Sequence, residues 1–506
     1  MMRTCKLLLA PVFLALLAYF LFVSRHRFID GDEGFYLLAA RLVLLHKTPY
    51  LDFFYTQAPL LPYVYAIWMK VAGVTWIAGR TLPAVLTSLL GLLIFGHVCR
   101  VTGKAVAGLT AAILFASCTL IFAWYPIAKT HSLAALFLFS AYVIISRTPL
   151  DISPWWIACS GMLLGLGVDT RSYVAGVAPV FIWWIARQSE ASRRVANVLW
   201  FAGGLAVGLL PSAVLFVLSP DRYWFNNLGY HAIRSGEGLI GAWRSKLHTV
   251  RVVLIGPDDN GLQLGMLSAI SLGLAVLWRK RRTSSLLAFL LALFLGLVSL
   301  LPTPPYVQYF CLCVPYLIVS AVCLGSDYFA QVRSPRVRWT AAVICVGLLA
   351  GYLTLGAVGF RNYLFTAASV IGIDDPDDAP NWTLRGVREV SQAIDELTSP
   401  GEGVASFWPG YVFESRTVPY PGFENNFGWA ISWQLTPQQR AKYHIPSPEE
   451  ITSGFAAHVP RVVVLGNDIL QDDPRAPQIA GLLKAHGYAL TRSIGNASIY
   501  VCCSKP

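Results

Sequence analysis

Apolar runs separated by short polar or basic connections recur from the N-terminus to about residue 360. An α-helix needs about twenty mostly apolar residues to cross roughly 30 Å of hydrocarbon, whereas a membrane barrel shows short alternating segments. The pattern predicts about eleven transmembrane helices, near 6–23, 80–99, 105–122, 130–146, 155–168, 172–186, 197–218, 262–278, 284–301, 307–324 and 339–358. Between the first two lies a long connection, 24–79. Within it Phe35, Tyr36, Leu38, Ala39, Leu42 and Leu45 recur at helical spacing, with Arg41 and Lys47 at other positions. That spacing predicts an amphipathic helix lying in the membrane interface. A second apolar segment, Ala58 to Val74, follows a turn with prolines at 49, 59 and 62.

At IGIDDPDDAPNW (371–382) the pattern changes to that of a soluble α/β domain. It predicts helices near 383–398, 448–458 and 475–486, strands at 403–407 and 461–465, and two final strands. Ser447 and Glu450 form a capping-box signature. The fold class read from the chain is mainly α, a polytopic membrane protein with a C-terminal soluble α/β domain: a membrane domain over 1–360 and a soluble domain over 361–506. The first run follows Arg3 and Lys6 and precedes SRHRF, with no small-residue cleavage site, which predicts an uncleaved signal anchor.

Composition agrees, with 56% hydrophobic and 13% charged residues in a chain of 506; ordinary soluble globular proteins are excluded. Charge adds sidedness. If all eleven runs cross, one set of connections carries fifteen basic residues, from Arg3 through Arg279–Arg282 to Arg338, against three acidic ones, Asp151, Glu190 and Asp327. That excess equals the net charge of +12. Lys and Arg mark cytoplasmic connections, so the basic balance is a topology signal and implies no nucleic acid. The expected arrangement is multi-pass in a bacterial inner membrane, with the N-terminus cytoplasmic. Loops 24–79, 123–129, 219–261 and 302–306 and the C-terminal domain are then periplasmic.

Most of the ten cysteines lie in apolar runs, where Cys acts as a small hydrophobe; the pair Cys502–Cys503 stands apart. No Cys/His spacing suggests a metal site, and no carboxylate or histidine cluster compels one. The sequons at Asn381 and Asn496 fall on the outer side.

Candidate chemistry concentrates where charge is otherwise avoided. Asp30, Asp32 and Glu33 stand within four residues at the outer edge of the first run. Acidic residues at a helix start complement its dipole, which is one complete explanation. On the same side lie Arg80, Lys129, His131 and Arg171, with Tyr36, Gln57 and Tyr309. Asp169 and Arg171 pair with each other or face a polar cavity. Loop 219–261, with Gly236 and Gly238, is an inert surface loop or a lid, and Tyr306, Gln308 and Tyr309 suit an aromatic belt or a cavity border. In the tail, Glu414, Glu424, Asn425 and Asn426 in an aromatic segment suit sugar recognition or packing against the membrane domain.

The ordered set Asp32-Glu33-x-x-Tyr36, then Gln57-Ala58-Pro59-Leu60, then Gly79-Arg80-x-x-Pro83 opening a span resembles the GT-C superfamily of integral-membrane glycosyltransferases. It is most similar to the family 39 protein mannosyltransferase and aminoarabinose transferase group. The resemblance implies transfer of a sugar from a polyprenyl-phosphate donor to an acceptor at the outer face, with inversion, no cofactor and a first-loop carboxylate as general base. Asp32 is the first choice, then Glu33, then Asp30. It also implies cationic or polar donor contacts from Arg80, Lys129, His131, Arg171, Tyr36, Gln57 and Tyr309. The chain departs from that group at His131, where relatives often carry an acid, and at Gln57, where aminoarabinose transferases carry a lysine. A non-catalytic scaffold for envelope polysaccharide assembly and a transporter of lipid-linked substrate are the alternative classes. Repeated halves and helices broken at mid-membrane, both expected of the transporter, are not evident in the sequence.

Overall fold

The computed structural model describes residues 2–147, 152–234, 238–256, 261–277, 284–370, 373, 376–466 and 476–502. The basic run 279–282, Asp151, Gly236, Cys503 and linker positions 371, 372, 374 and 375 lie outside the described residues.

Each predicted apolar run contains a helix, but several are interrupted. Among the described residues, Thr4–His26, Trp76–Thr102, Val307–Gln331 and Pro335–Thr366 are long and apolar enough to cross a membrane. Arg194–Gly208 and Leu210–Leu218 make a fifth candidate bent by 56°, at Pro211, which has no N–H to give the helical ladder. Other runs form helices of 10–17 residues, among them Leu60–Ala72, Ala105–Ala116, His131–Ile145 and Gly261–Leu277. Among the described residues, then, not every predicted run is one uninterrupted helix. The run 105–122 shows why: the chain breaks after Ala116, and the buried Gln263 amide takes up the freed groups. Its Oε1 accepts from Thr119 N at 2.7 Å, and its Nε2 donates to Ser117 O at 3.0 Å and Tyr352 O at 2.8 Å. A broken helix survives in an apolar setting when a side chain satisfies the backbone in this way.

The C-terminal unit carries a five-stranded sheet of β1 (Gly403–Ser406), β2 (Val418–Pro419), β3 (Val462–Leu465), β4 (Ala489–Ile494) and β5 (Ala497–Val501), in the order β2-β1-β3-β5-β4. β1 pairs in parallel with β2 and β3, and β5 runs antiparallel to β3 and β4. The predicted helices appear as Leu384–Leu397, Pro448–Ala456 and Ala476–Ala485, and the Ser447/Glu450 capping box forms. Alternation along the strands divides the sheet's contacts. Val404, Val462 and Val464 join the apolar core that runs down into the membrane helices, whereas Ala405, Phe407 and Val463 pack with Ile451, Phe455 and Leu483 on the other face. The two units thus share one apolar core.

That sharing adds to the reading of the first connection. The apolar face of the Glu33–Leu44 helix is covered by protein; Phe35 through Ala40 and Leu42 are all buried. The C-terminal unit covers it. Arg41, expected on the polar side, donates to the carbonyls of Val412, Phe413 and Thr417 at 2.6–3.2 Å. A Cβ on Gly34 would come within 2.6 Å of Gly410 N, so this close backbone approach requires glycine.

A second close approach joins the Pro154–Thr170 and Arg194–Gly208 helices, where a Cβ on Gly161 would meet Phe201 O at 2.0 Å and one on Gly204 would meet Ala158 O at 1.9 Å. Small residues at such a seam let membrane helices touch backbone to backbone. Gly161→Leu is expected to cost at least about 1–3 kcal/mol of overpacking, read as a lower unfolding temperature of the detergent-solubilised protein. Gly203→Ala, with nothing within 4 Å of the added carbon, is expected to leave it unchanged.

Candidate active site

The chain leaves the first span at His26 and reaches the next helix at Glu33, and this turn sorts the three carboxylates. Glu33 is fully buried and faces Arg80, with Oε2 accepting from Nε at 2.8 Å and Oε1 from Nη2 at 2.5 Å. Its oxygens also accept from Asp30 N at 2.9 Å and Ala128 N at 3.0 Å. Arg80 spends its other donors on the carbonyls of Ser24, Arg27 and Phe28 at 2.5–3.2 Å. Both side chains are thus held within the fold by one another and by backbone groups.

Asp30 is nearly buried and Asp32 keeps 34% of its side chain exposed. Although Asp32 stands at the helix N-cap, it makes no capping hydrogen bond; the dipole explanation does not use its side chain. Lys129 bridges the two, with Nζ 2.6 Å from Asp30 Oδ1 and 2.9 Å from Asp32 Oδ2, and sits 4.8 Å from the centre of the Trp124 ring. Burial pushes the Asp30 carboxyl up, but Lys129 and Arg27 outweigh it and hold it below the usual carboxylate range. Burial likewise opposes the Lys129 ammonium, and the two aspartates hold its pKa above the usual lysine value.

Around the open side of Asp32 stands a wall of cations and aromatic rings. Arg171 lies 4.9 Å from the Tyr173 ring centre and 4.8 Å from that of Tyr309, and donates through Nη1 to Thr130 Oγ1; its Nε has no hydrogen-bond partner among the described residues. Buried Tyr36 interacts electrostatically with Asp32, Arg171 and Tyr309. Arg234 donates to Tyr306 Oη at 2.6 Å and lies 5.6 Å from the Phe427 ring. The structure thus brings together Asp30, Asp32, Lys129, Arg171, Tyr36 and Tyr309.

It does not bring in the others in the same way. His131 is buried beside the cluster, interacting electrostatically with Arg171 and Lys129, and its Nδ1 lies 3.4 Å from Cys311 Sγ. Gln57 takes part through its backbone carbonyl, which accepts from Tyr50 Oη at 2.5 Å. Asp169 accepts from Ser212, so its pairing with Arg171 does not form. Glu414 holds the start of the Trp76–Thr102 helix, accepting from Trp76 N at 3.0 Å, and pairs with Arg388. Among the described residues no group of three His, Cys, Asp or Glu side chains is placed to hold a metal ion. Three contributors escaped sequence reasoning: Arg27, buried between Trp124 and Tyr363, and Arg234 and Phe427 on the rim. Arg27 stands in SRHRF, a legible signal of charge at a span end, and Arg234 and Phe427 lie in the 219–261 loop and the aromatic stretch of the tail, segments singled out without naming either residue.

Residues 56–224, a third of the chain, match the family model described as dolichyl-phosphate-mannose-protein mannosyltransferase. Among curated proteins nothing matches. Of the solved structures, the crystal structure of ArnT from Cupriavidus metallidurans bound to undecaprenyl phosphate aligns over 97% of both chains, with a TM-score of 0.65 and 15% identity. The apo state of the same protein gives 0.64 and 14% over the same share of each. The fold is that of ArnT. Its family match includes Gln57, Arg80, Lys129, His131 and Arg171 and begins after the three carboxylates.

Glu424 lines a separate pocket of ≈ 370 Å³ with Asp52, Tyr420, Arg440 and His444. Burial pushes its carboxyl up to about 7, against weaker lowering by the N–H groups of Glu424 and Gly422 and by Lys47. A carboxyl with a raised folded pKa binds its proton more tightly in the folded state, so stability falls as pH rises from about 4.5 through about 7. Glu424→Gln is expected to flatten that part of the pH profile of the unfolding temperature and to exceed wild type at pH 8. Removing one partner of a buried ion pair strands the other, so Arg80→Ala is expected to cost about 3–5 kcal/mol, read as lost folded yield and unfolding temperature. Asp32→Asn should fold as wild type does.

Proposed function

We propose that this chain is a membrane glycosyltransferase that moves a sugar from a polyprenyl-phosphate donor to an acceptor hydroxyl, with inversion, on the side of the membrane that carries the C-terminal unit. That side is the periplasm of a bacterial inner membrane in this reading, and the catalytic membrane domain is 1–360 with a soluble domain over 361–506. The observation that carries the proposal is Asp32: of three clustered carboxylates it alone is both partly open and faced by cations and tyrosines.

The acceptor oxygen attacks the anomeric carbon as the bond from that carbon to the phosphate oxygen breaks. The electron pair leaves with the polyprenyl phosphate, and the acceptor proton passes to the Asp32 carboxylate, the role of a general base. Negative charge grows on the departing phosphate. Lys129 and Arg171, with Arg234 at the rim, stand where such charge is stabilised more in the transition state than before it. The unpartnered Nε of Arg171 supports this assignment. Tyr173 and Tyr309 pack on Arg171, and Asp30 fixes Lys129 against Asp32. The cations being side chains, the reading assigns no cofactor and no divalent metal. ArnT crystallised with undecaprenyl phosphate on the same fold supports the donor class.

The test uses the full chain in lipid with radiolabelled polyprenyl-phosphate sugars and a membrane extract as acceptor source, in buffer containing a chelator. Loss of general-base catalysis predicts a fall of about 10²–10⁴-fold for Asp32→Asn, with Arg171→Ala also impaired and both variants folded. Transfer by Asp32→Asn at the wild-type rate rejects the base; folded wild type inactive with every donor points to a scaffold instead.

A further inference from the structure

A cleft of ≈ 650 Å³ lies between the outer end of the first span and the start of the Leu384–Leu397 helix of the C-terminal unit, and Arg27, which pairs with Asp30, separates it from the carboxylate cluster. Arg25 and His26 form one wall, with Phe28, Ile77 and Leu364, and Thr383, Arg385 and Arg388 form the other. Arg25 is exposed at the last turn of the first span and pairs with no carboxylate among the described residues. Arg385, 89% exposed, is held only by the surface pair to Glu389 within its own helix, a contact weak enough to exchange. Arg388 is tied to Glu414 and forms the fixed back of the cleft. The first turn of the Leu384–Leu397 helix adds its positive dipole end.

What lies beneath selects the ligand. Below Arg25 the surface turns apolar along the membrane helices: Phe22, 42% exposed, stacks on His26 at 4.2 Å between ring centres and against Phe360 at 6.4 Å. Leu14 on the first span and Phe365 at the end of the last continue this apolar surface. A free phosphate needs only the cations; a ligand with a phosphate and two acyl chains uses both.

We infer that this cleft binds the phosphate head group of an anionic glycerophospholipid from the adjacent leaflet, with its acyl chains along Phe22 and Phe360. The lipid bridges the first span and the C-terminal unit. Its contacts are separate from the Asp32 cluster, so the inference does not rest on the proposed activity.

The experiment is native mass spectrometry of the delipidated full-length protein titrated in detergent with phosphatidylglycerol, phosphatidylcholine, undecaprenyl phosphate or inorganic phosphate. Each cation near a membrane surface is worth about fivefold toward an anionic lipid, so Arg25→Ala and Arg385→Ala are each expected to weaken the tightest phosphatidylglycerol adduct about fivefold. Both positions are exposed, and unchanged unfolding temperatures of the lipid-free variants confirm folding. Equal retention of phosphatidylcholine, retention of phosphatidylglycerol by the double variant, tighter undecaprenyl phosphate sensitive to the same substitutions, or competition by inorganic phosphate at equal concentration overturns the inference.

Discussion

The buried pair of Glu33 and Arg80 is the constraint on which the rest depends. A helix ends with carbonyls that lack partners, and at a membrane boundary they are costly to leave so. Arg80, from the next long helix, donates to the carbonyls of Ser24, Arg27 and Phe28, while its remaining N–H groups reach Glu33. One guanidinium closes the first span, compensates its negative dipole end and neutralises the acid that opens the following helix. Its five donors in a planar fork suit this task; a lysine offers three from a single point. Glu33 in turn accepts from Ala128 N and so fixes the segment that delivers Lys129.

From that anchor the division among the carboxylates follows by desolvation. An isolated buried carboxylate is expensive, so each acid must be paired in proportion to its burial. Glu33 is fully enclosed and saturated; Asp30, nearly enclosed, has Lys129, Arg27 and the N–H of Asp32. Asp32, partly open, keeps one cation and an accessible face. Of three acids at this edge, two are thus tied into the fold and one keeps an open face.

Much of this was legible in the residues. The acidic patch, its helix, the outer basic residues and the Ser447 capping box are local signals, and spacing finds them. The covering of the Glu33–Leu44 helix was not legible, because its partners lie some 370 positions away: Arg41 meets Val412 and Gly34 meets Gly410. A face buried by distant sequence reads like a face buried by lipid, since both ask only for apolar residues. Glu33 and Asp32 are also alike on paper. Only the third dimension shows that Arg80 takes one and leaves the other.

The same long-range contacts recast the segment read as a lid. Residues 220–234 are stitched on one side to the first connection, through Asn226 to Tyr55 N, Arg222 to Leu51 O and His231 to Thr56 O. On the other side they meet the C-terminal unit, with Phe225 stacked on Tyr443 at 3.6 Å and Asp221 paired with Lys442 at 2.6 Å. Phe54, Phe225, Tyr230, Ile431, Leu435 and Ile445 close an apolar cluster across all three. Opening this rim would expose that cluster and strand backbone partners at once, a cost that a freely hinged lid does not carry. The rim is therefore a wall, and Arg234 at its end hydrogen-bonds Tyr306 and lies over the Tyr306 and Phe427 rings.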